Sequence, residues 1–454
     1  MSIGSFFTAR KKTRSKHSLR TRKLLAACGL VLLLASCGSS DPGAKSDLDI
    51  LLKNTGVAPS DPDRIELHLL SFHTGREFEF WSWLGEEYAK EHPHVEVKVD
   101  FISSDDYFTD NKLLASFASG HGPDLFFVSP GTIRRFEDAG ILEPLTSRFA
   151  PDIREDFYTS ALDSVTVNGE IYAVPIETEL LGLYYNKELF SSKGIQPPTT
   201  WKEMAEAARV LKSPGVSGLT LETFKSVYQN FTWLPFLWQT GADLVTEDGE
   251  ALGLDGTEAK EMFAFFRGMI DQGLLNMHPS RPTTDIGILA SGETAMQVSG
   301  TWNIRMLETM YADRPIGVVP LPVPEGGDRV TIAGGWKIGV NHYSKYADEA
   351  AKFVMWAFAE KPDIPLRWVS EVKFAYSPRK SVMEAGGELY QKGLRKVFTD
   401  EVFGTERPEP QYPAEISGIF TESLQQLLYN GGQPGDLAEW TSEAIDNYLK
   451  DTEK

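Results

Sequence analysis

The sequence predicts an α/β protein of doubly wound, mostly parallel sheets flanked by helices. Three observations carry that expectation. Residues 65–101 read strand, helix, strand with short connections, which suits a parallel unit because parallel strands need a crossover. Residues 168–201 join a tight turn, a nearly unbroken apolar run and a helix start. The second half of the chain repeats this alternation of helices and short strands. With 454 residues there is room for two or three domains with substantial cores.

The N-terminus stands outside that fold. Eight basic residues between Arg10 and Lys23 precede a short apolar core, Leu24–Leu34, too short to span a bilayer comfortably. Leu34-Ala35-Ser36-Cys37 then reads as a bacterial lipobox. Residues 1–36 are expected to be a signal peptide, with lipid on the Cys37 sulfur. An uncleaved anchor or a plain secretory signal are the alternatives. Cleavage lowers the formal net charge from −19 to −27, since residues 1–36 hold no acid. Residues 37–63, rich in Gly, Ser, Asp and Pro, read as a tether.

The elements follow in order. Ile65–Leu69 alternates and reads as a strand. Gly75–Glu91 has helical spacing, with Phe78, Trp81, Leu84 and Tyr88 on one face, and Pro93 ends it. Val95, Val97, Val99 and Phe101 alternate as a second strand. A helix is expected over 107–119, a buried strand over 124–128, and a helix over 132–139 closed by Gly140. Asn168-Gly169 predicts a hairpin turn, because both residues tolerate positive φ. Leu180–Tyr185 is a buried strand, and Thr200 caps a helix over 201–212. Helices over 257–272, 348–360, 415–429 and 434–450, and a strand over 294–298, complete the pattern.

Composition excludes several functions. The acidic balance argues against nucleic acid, which needs clustered Lys and Arg. The two cysteines, Cys28 and Cys37, leave no thiol for a disulfide or metal site in the body. The histidines are scattered, so no metal and no cofactor is expected. A phosphate-cradling Gly-Lys loop and a G-x-S-x-G motif are both lacking.

What remains is a pattern of aromatics and carboxylates. Trp233, Trp238, Trp302 and Trp336 stand near turns or strand ends, Trp302 after Ser299-Gly300-Thr301 and Trp336 after Gly334-Gly335. Aromatic faces cover the CH faces of a pyranose, and carboxylates accept from its hydroxyls. Each tryptophan has the alternative of filling a core. Glu177 and Glu179 share one face of an extended segment, roughly 6–7 Å apart. They are read as ligand-binding, against the alternative of a glycosidase acid–base pair. The loops 71–76 and 129–132 lie at the carboxyl ends of strands, where doubly wound sheets bind ligands.

Taken together, "NGEIYAVP", Glu179, "LYYNKELF", "KGI" and "PPTTW" are similar to the family 1 bacterial ABC-transporter extracellular solute-binding proteins, which include maltose-binding protein. Gly122-Pro123-Asp124, Gly140–Leu145, Gly292–Met296, Ser299–Trp302 and Phe231–Trp233 extend the likeness over nearly all of the mature body. The resemblance implies a two-lobed periplasmic-binding-protein fold of the maltose-binding type. Its lobes would be 64–176 plus 321–362, and 177–320 plus 363–454, with hinge segments near Glu177–Leu180 and Val318–Pro320. It implies a carbohydrate receptor without enzymatic activity, monomeric, delivering ligand to a membrane permease. Glu179 and Trp302 match a sugar-binding glutamate and a sugar-stacking tryptophan of the family. The expected ligand-binding set adds Glu177, Trp336, Gly335, Trp233, Tyr228 and Asn230. From the first-lobe loops it takes Ser129, Thr132, His73, Thr74 and Arg76, and from the C-terminal part Arg379. The first-lobe loop Val128–Thr132 departs from the maltose-binding pattern, and Ile416 and Phe420 replace its C-terminal Trp and Arg, so the ligand is expected to differ from maltose. A polyol-phosphate receptor using Arg76, Arg305 and Arg379 is the runner-up, and a secreted glycoside hydrolase or lyase the rival of another class.

Overall fold

β1 (Ile65–Ser71) buries Leu67 and Leu69 and pairs in parallel with β2 (Val95–Phe101). The chain is described here by a computed structural model, over residues 64–452 apart from 110, 247–251 and 255. The expected signal peptide, Cys37 and tether lie outside the described residues. The helix Gly75–Glu91 joins the two strands and covers the sheet with Phe80, Trp81, Leu84 and Tyr88. Phe80 takes the inward place expected of Phe78, which instead meets Phe101 at the rim.

The helix expected over 107–119 divides into Ser104–Phe108 and Asn111–Ala118. The Ser103 side chain accepts from Asp106 N and starts the first piece early. The Tyr107 hydroxyl donates to Phe127 O at 2.6 Å and accepts from Phe127 N at 2.7 Å, tying that piece to β3 (Leu125–Val128). Pro130–Asp138 is helical, with a Ser129/Thr132 capping box, and Gly140 follows at φ +66°. Asn168 and Gly169 both adopt positive φ and turn β4 (Thr166–Val167) into β5 (Glu170–Ile171). β6 (Ala173–Pro175) closes the first run.

The chain then leaves the first sheet. β7 (Leu181–Asn186), β8 (Ser217–Thr220), β9 (Thr294–Gly300) and β10 (Ile316–Val319) form a second sheet in the order β10-β7-β9-β8. β11 (Thr331–Ala333) leads to β12 (Lys337–Val340), which returns to the first sheet, and β13 (Glu406–Pro408) pairs with β11. The first sheet is ordered β2-β1-β3-β12-β6. Pairing is parallel along β2-β1-β3 and between β8 and β9. The strands that cross between sheets, β6, β7 and β12, pair antiparallel because the chain passes there in both directions.

Each sheet has its own core. One contains Trp81, Phe127, Val174 and Ile338, together with Ile364, Trp368, Val369 and Val382. The other contains Leu183, Trp233, Phe266, Met296, Leu321, Ile332 and Phe420. A third cluster of Leu180, Tyr184, Val318, Phe374, Tyr376 and Phe398 lies under the crossing strands. Three segments cross side by side: 176–180, 333–336 and 373–377. Thr178 bridges to Tyr376 and Leu180 to Ala333. The return crossing falls at 333–336 rather than at Val318–Pro320, because Val318 and Val319 pair with Tyr184 and Leu183 inside the second sheet. Among the described residues no helix is long and apolar enough to cross a membrane.

Candidate functional site

The crossing strands place the two predicted carboxylates. Thr178 and Tyr376 exchange backbone hydrogen bonds at 2.7 and 2.9 Å, which sets Lys373 against the segment 177–179. Lys373 Nζ lies 3.1 Å from Glu177 Oε1 and 2.7 Å from Glu179 Oε1. Glu177 is fully buried, and it also accepts from Trp368 Nε1 at 2.7 Å and Trp336 N at 3.1 Å. Its oxygens are occupied from behind, so it positions Lys373 and Trp336. Glu179 is the carboxylate that lines the cavity between the sheets. With Glu177 sealed off, the two cannot act together as a glycosidase acid and base.

Glycine makes the close approaches possible. Gly335 has φ +90°, and a Cβ there would stand 2.9 Å from Glu177 O. Any side chain would push the strand off the carboxylate segment. At the end of β9, a Cβ on Gly300 would fall 1.8 Å from the Trp302 ring. Its absence lets the indole fold back over the strand end, where Nε1 donates to Thr284 O at 3.0 Å.

The cavity holds about 330 Å³, within the range of small-ligand sites. Phe72, Phe108 and Trp336 wall it from the first sheet, with Phe108 stacked on Trp336 at 14° between planes. Tyr228, Phe231 and Trp302 wall it from the other side, with Trp302 edge-on to Tyr228 at 5.8 Å. Among the rings sit buried polar atoms without hydrogen-bond partners, Tyr228 OH and Glu409 Oε2, while His73 Nε2 faces Glu77 Oε2 at 3.5 Å without hydrogen-bond geometry. Glu179 Oε1 meets Lys373 as an ion contact without hydrogen-bond geometry. Buried polar groups are ordinarily paired, so these atoms are poised for a ligand's hydroxyls or for water. A second cavity of about 460 Å³ adjoins the first and shares Phe108, Val227, Phe231 and Glu409 with it.

Burial shapes the charges. It pushes Glu179 up to about 8, opposed by Lys373 and reinforced by Glu177. It pushes Glu409 up to about 7, opposed by Lys337. Glu77 is also raised by burial. His73 is held well below its ordinary range by burial and by Lys373, so its ring is neutral. Burial works against the Lys373 ammonium, but Glu177 and Glu179 outweigh it and raise its pKa.

The predicted residues thus divide. Glu179, Trp302, Trp336, Gly335 and Tyr228 line the first cavity, joined by Ser129, His73 and Thr74. Thr132 and Asn230 line the second, where Asn230 donates to Ser417 O at 3.0 Å. Trp233 does not reach either cavity. It is fully buried in the second core and donates to Glu222 O, because the helix Val227–Trp238 turns it inward. Arg76 is exposed and reaches Glu371 O. Arg379 lies away from both cavities. Its guanidinium is held by Asp156 at 2.7 Å and by the carbonyls of Phe358 and Lys361. Arg305 also lines neither cavity and pairs with Glu308.

Sequence reading missed Lys373, Glu409, Phe72, Phe108 and Phe231 as cavity residues. Phe231 stood inside a family-like run. Lys373 and Glu409 carry no local signal, since each reaches the cavity through strands paired far along the chain.

The family model for bacterial extracellular solute-binding protein matches residues 76–363. A binding protein of Brucella abortus is 23% identical over 375 residues, covering 80% of this chain and 88% of the relative. The maltotriose-binding protein of Pyrococcus abyssi is 28% identical over 300 residues, covering 63% of this chain and 61% of that protein. An ABC transporter solute-binding protein of Thermotoga lettingae, solved with α-D-tagatose, superposes with a TM-score of 0.75 at 20% identity, over 85% of this chain and all of that one. The family match, the two sheets joined by crossing strands and the cavity between them lead to one assignment: this chain belongs to the bacterial extracellular solute-binding proteins, with their two-lobed α/β fold.

Proposed function

We propose that this protein is a lipid-anchored receptor that captures a carbohydrate between its lobes and hands it to an ABC-transporter permease. Family membership places its work outside the cytoplasm and makes it a binding protein, not an enzyme. One observation carries the sugar reading. Trp336 and Trp302 present rings from opposite walls of a cavity floored by buried polar atoms without partners. Rings for pyranose faces and acceptors for hydroxyls are what a sugar needs. The maltotriose and tagatose ligands of its relatives support the same class.

Trp302→Ala is expected to weaken sugar binding at least about tenfold, about 1.4 kcal/mol, by titration calorimetry. Unchanged affinity would remove Trp302 from the site. The polyol-phosphate reading loses its candidates, because Arg76, Arg305 and Arg379 line neither cavity.

The lobes we propose are 64–176 with 337–382, and 181–332 with 383–452, following the two cores. Membrane attachment rests on the lipobox before Cys37. Cys37→Ala should move the protein from the membrane fraction to the soluble fraction, and retention on the membrane would count against the lipid.

A further inference from the structure

The first cavity is more acidic than a neutral sugar requires. Glu77, Glu179, Asp285 and Glu409 line it, and among the described lining residues Lys373 is the one cation. That cation is committed to Glu177 and Glu179. Asp285 has Arg281 within 3.4 Å. Glu77 meets the neutral His73 ring at 3.5 Å. Glu409 has no ammonium or guanidinium at ion-pair distance among the described residues.

Glu409 is also placed as a receiving group. It is 8% exposed and stands where the two cavities join. Its Oε1 accepts from Ser129 Oγ at 3.3 Å, and its Oε2 has no partner. Two glycines open the notch that seats it. A Cβ at Gly131 would lie 2.4 Å from Oε1, and one at Gly334 would lie 3.1 Å from Oε2 and 2.3 Å from the Phe231 ring. Carboxylate and ring therefore both pack against Gly334, and they line one cavity together with the unpaired Tyr228 hydroxyl. The buried Lys337 ammonium opposes the raised pKa of Glu409 but is bonded to the carbonyls of Glu177, Gly334 and Gly335 rather than to the carboxylate. A buried carboxylate short of an ion-pair partner gains from a cation that arrives beside it.

We propose that the ligand is a carbohydrate bearing a protonated amino group, and that Glu409 receives this ammonium beside the Phe231 ring. The proposal rests on the carbohydrate reading and narrows it to amino sugars and their oligomers. Burial has raised the proton affinity of Glu409, so an arriving cation should drive a proton off as it binds.

Calorimetry on the full chain tests it with matched pairs: glucosamine, galactosamine and mannosamine and their short oligomers, against the parent neutral sugars of equal length. At a pH of about 6 the preferred amino sugar is expected to bind at least about tenfold tighter than its neutral partner. The preference should shrink when salt is raised to about 0.5 M. It should disappear in Glu409→Gln and persist in part in Glu409→Asp, with melting temperature as the check on folding. Neutral sugars binding as well as or better than amino sugars would overturn the proposal while leaving the carbohydrate reading intact. A preference that survives Glu409→Gln would overturn the assignment to Glu409. Failure of every sugar, charged or neutral, would overturn the carbohydrate reading itself.

Discussion

Lys373 binds two glutamates in a place closed to water. Its Nζ lies within 3.1 Å of both Glu177 and Glu179, and all three side chains are almost fully buried. Removing one partner of such a group leaves an uncompensated charge, at a cost of roughly 3–5 kcal/mol. Lys373→Met is therefore expected to lower the melting temperature by many degrees, and Glu177→Gln with Lys373→Met should recover part of the loss. Equal melting for Lys373→Met and the wild type would show the triad to be without structural weight. The two glutamates were legible, because alternation in an extended segment puts them on one face. Their different roles were not. Glu177 is turned from the ligand by Trp368 and Lys373, and Lys373 arrives 196 residues along the chain.

Protonation follows from the same burial. Glu179 and Glu409 have folded-state pKa values raised to about 8 and about 7 from an ordinary 4.5. Between those limits the folded state binds more protons than the unfolded state. Their contribution to stability is complete below a pH of about 4.5 and is lost as pH rises through about 7 to 8. Glu409→Gln should consequently gain on the wild type in melting temperature as pH climbs across that window without ligand. Parallel curves for the two proteins would contradict the raised carboxyl.

At the scale of elements, the crossing segment 333–336 is where small changes tell most. Gly335→Ala would force a side chain into φ +90° and against Glu177 O. The backbone penalty alone is about 1–2 kcal/mol. The variant is expected to melt lower and to bind ligand more weakly, since Trp336 and the Glu177 segment must separate. A variant that melts and binds as the wild type does would show that the strands cross more loosely than the contacts indicate.

The same scale shows what local sequence conveys. Asn168-Gly169 formed its hairpin, and Thr200 with Glu203 formed the capping box at the start of Trp201–Leu211, because turn and cap chemistry act within a few residues. The early start of Ser104–Phe108 goes instead with Tyr107 reaching β3, and the return crossing with β10 pairing with β7. Both are tertiary contacts without a local pattern. Trp302 and Trp336 were visible beside their glycines, whereas Phe72 and Phe108 carry no such local signal and become cavity walls through the packing of Ser104–Phe108.

For the whole molecule, two cores are joined by three adjacent crossing segments, and we propose that the body bends there, as in the hinge closure of periplasmic binding proteins. A cavity walled by rings from both sheets binds its ligand best when the lobes are together, so ligand should favour the closed form. The most direct measurement is a thermal-shift screen of the full chain against mono- and oligosaccharides, amino sugars, polyols and phosphorylated polyols, with Trp302→Ala alongside. A ligand at a hundred times its dissociation constant adds about 2.7 kcal/mol to stability. A sharp rise in melting temperature with one class of sugar, lost in Trp302→Ala, is the predicted result. A rise with phosphorylated polyols alone, or with no carbohydrate at all, would contradict it.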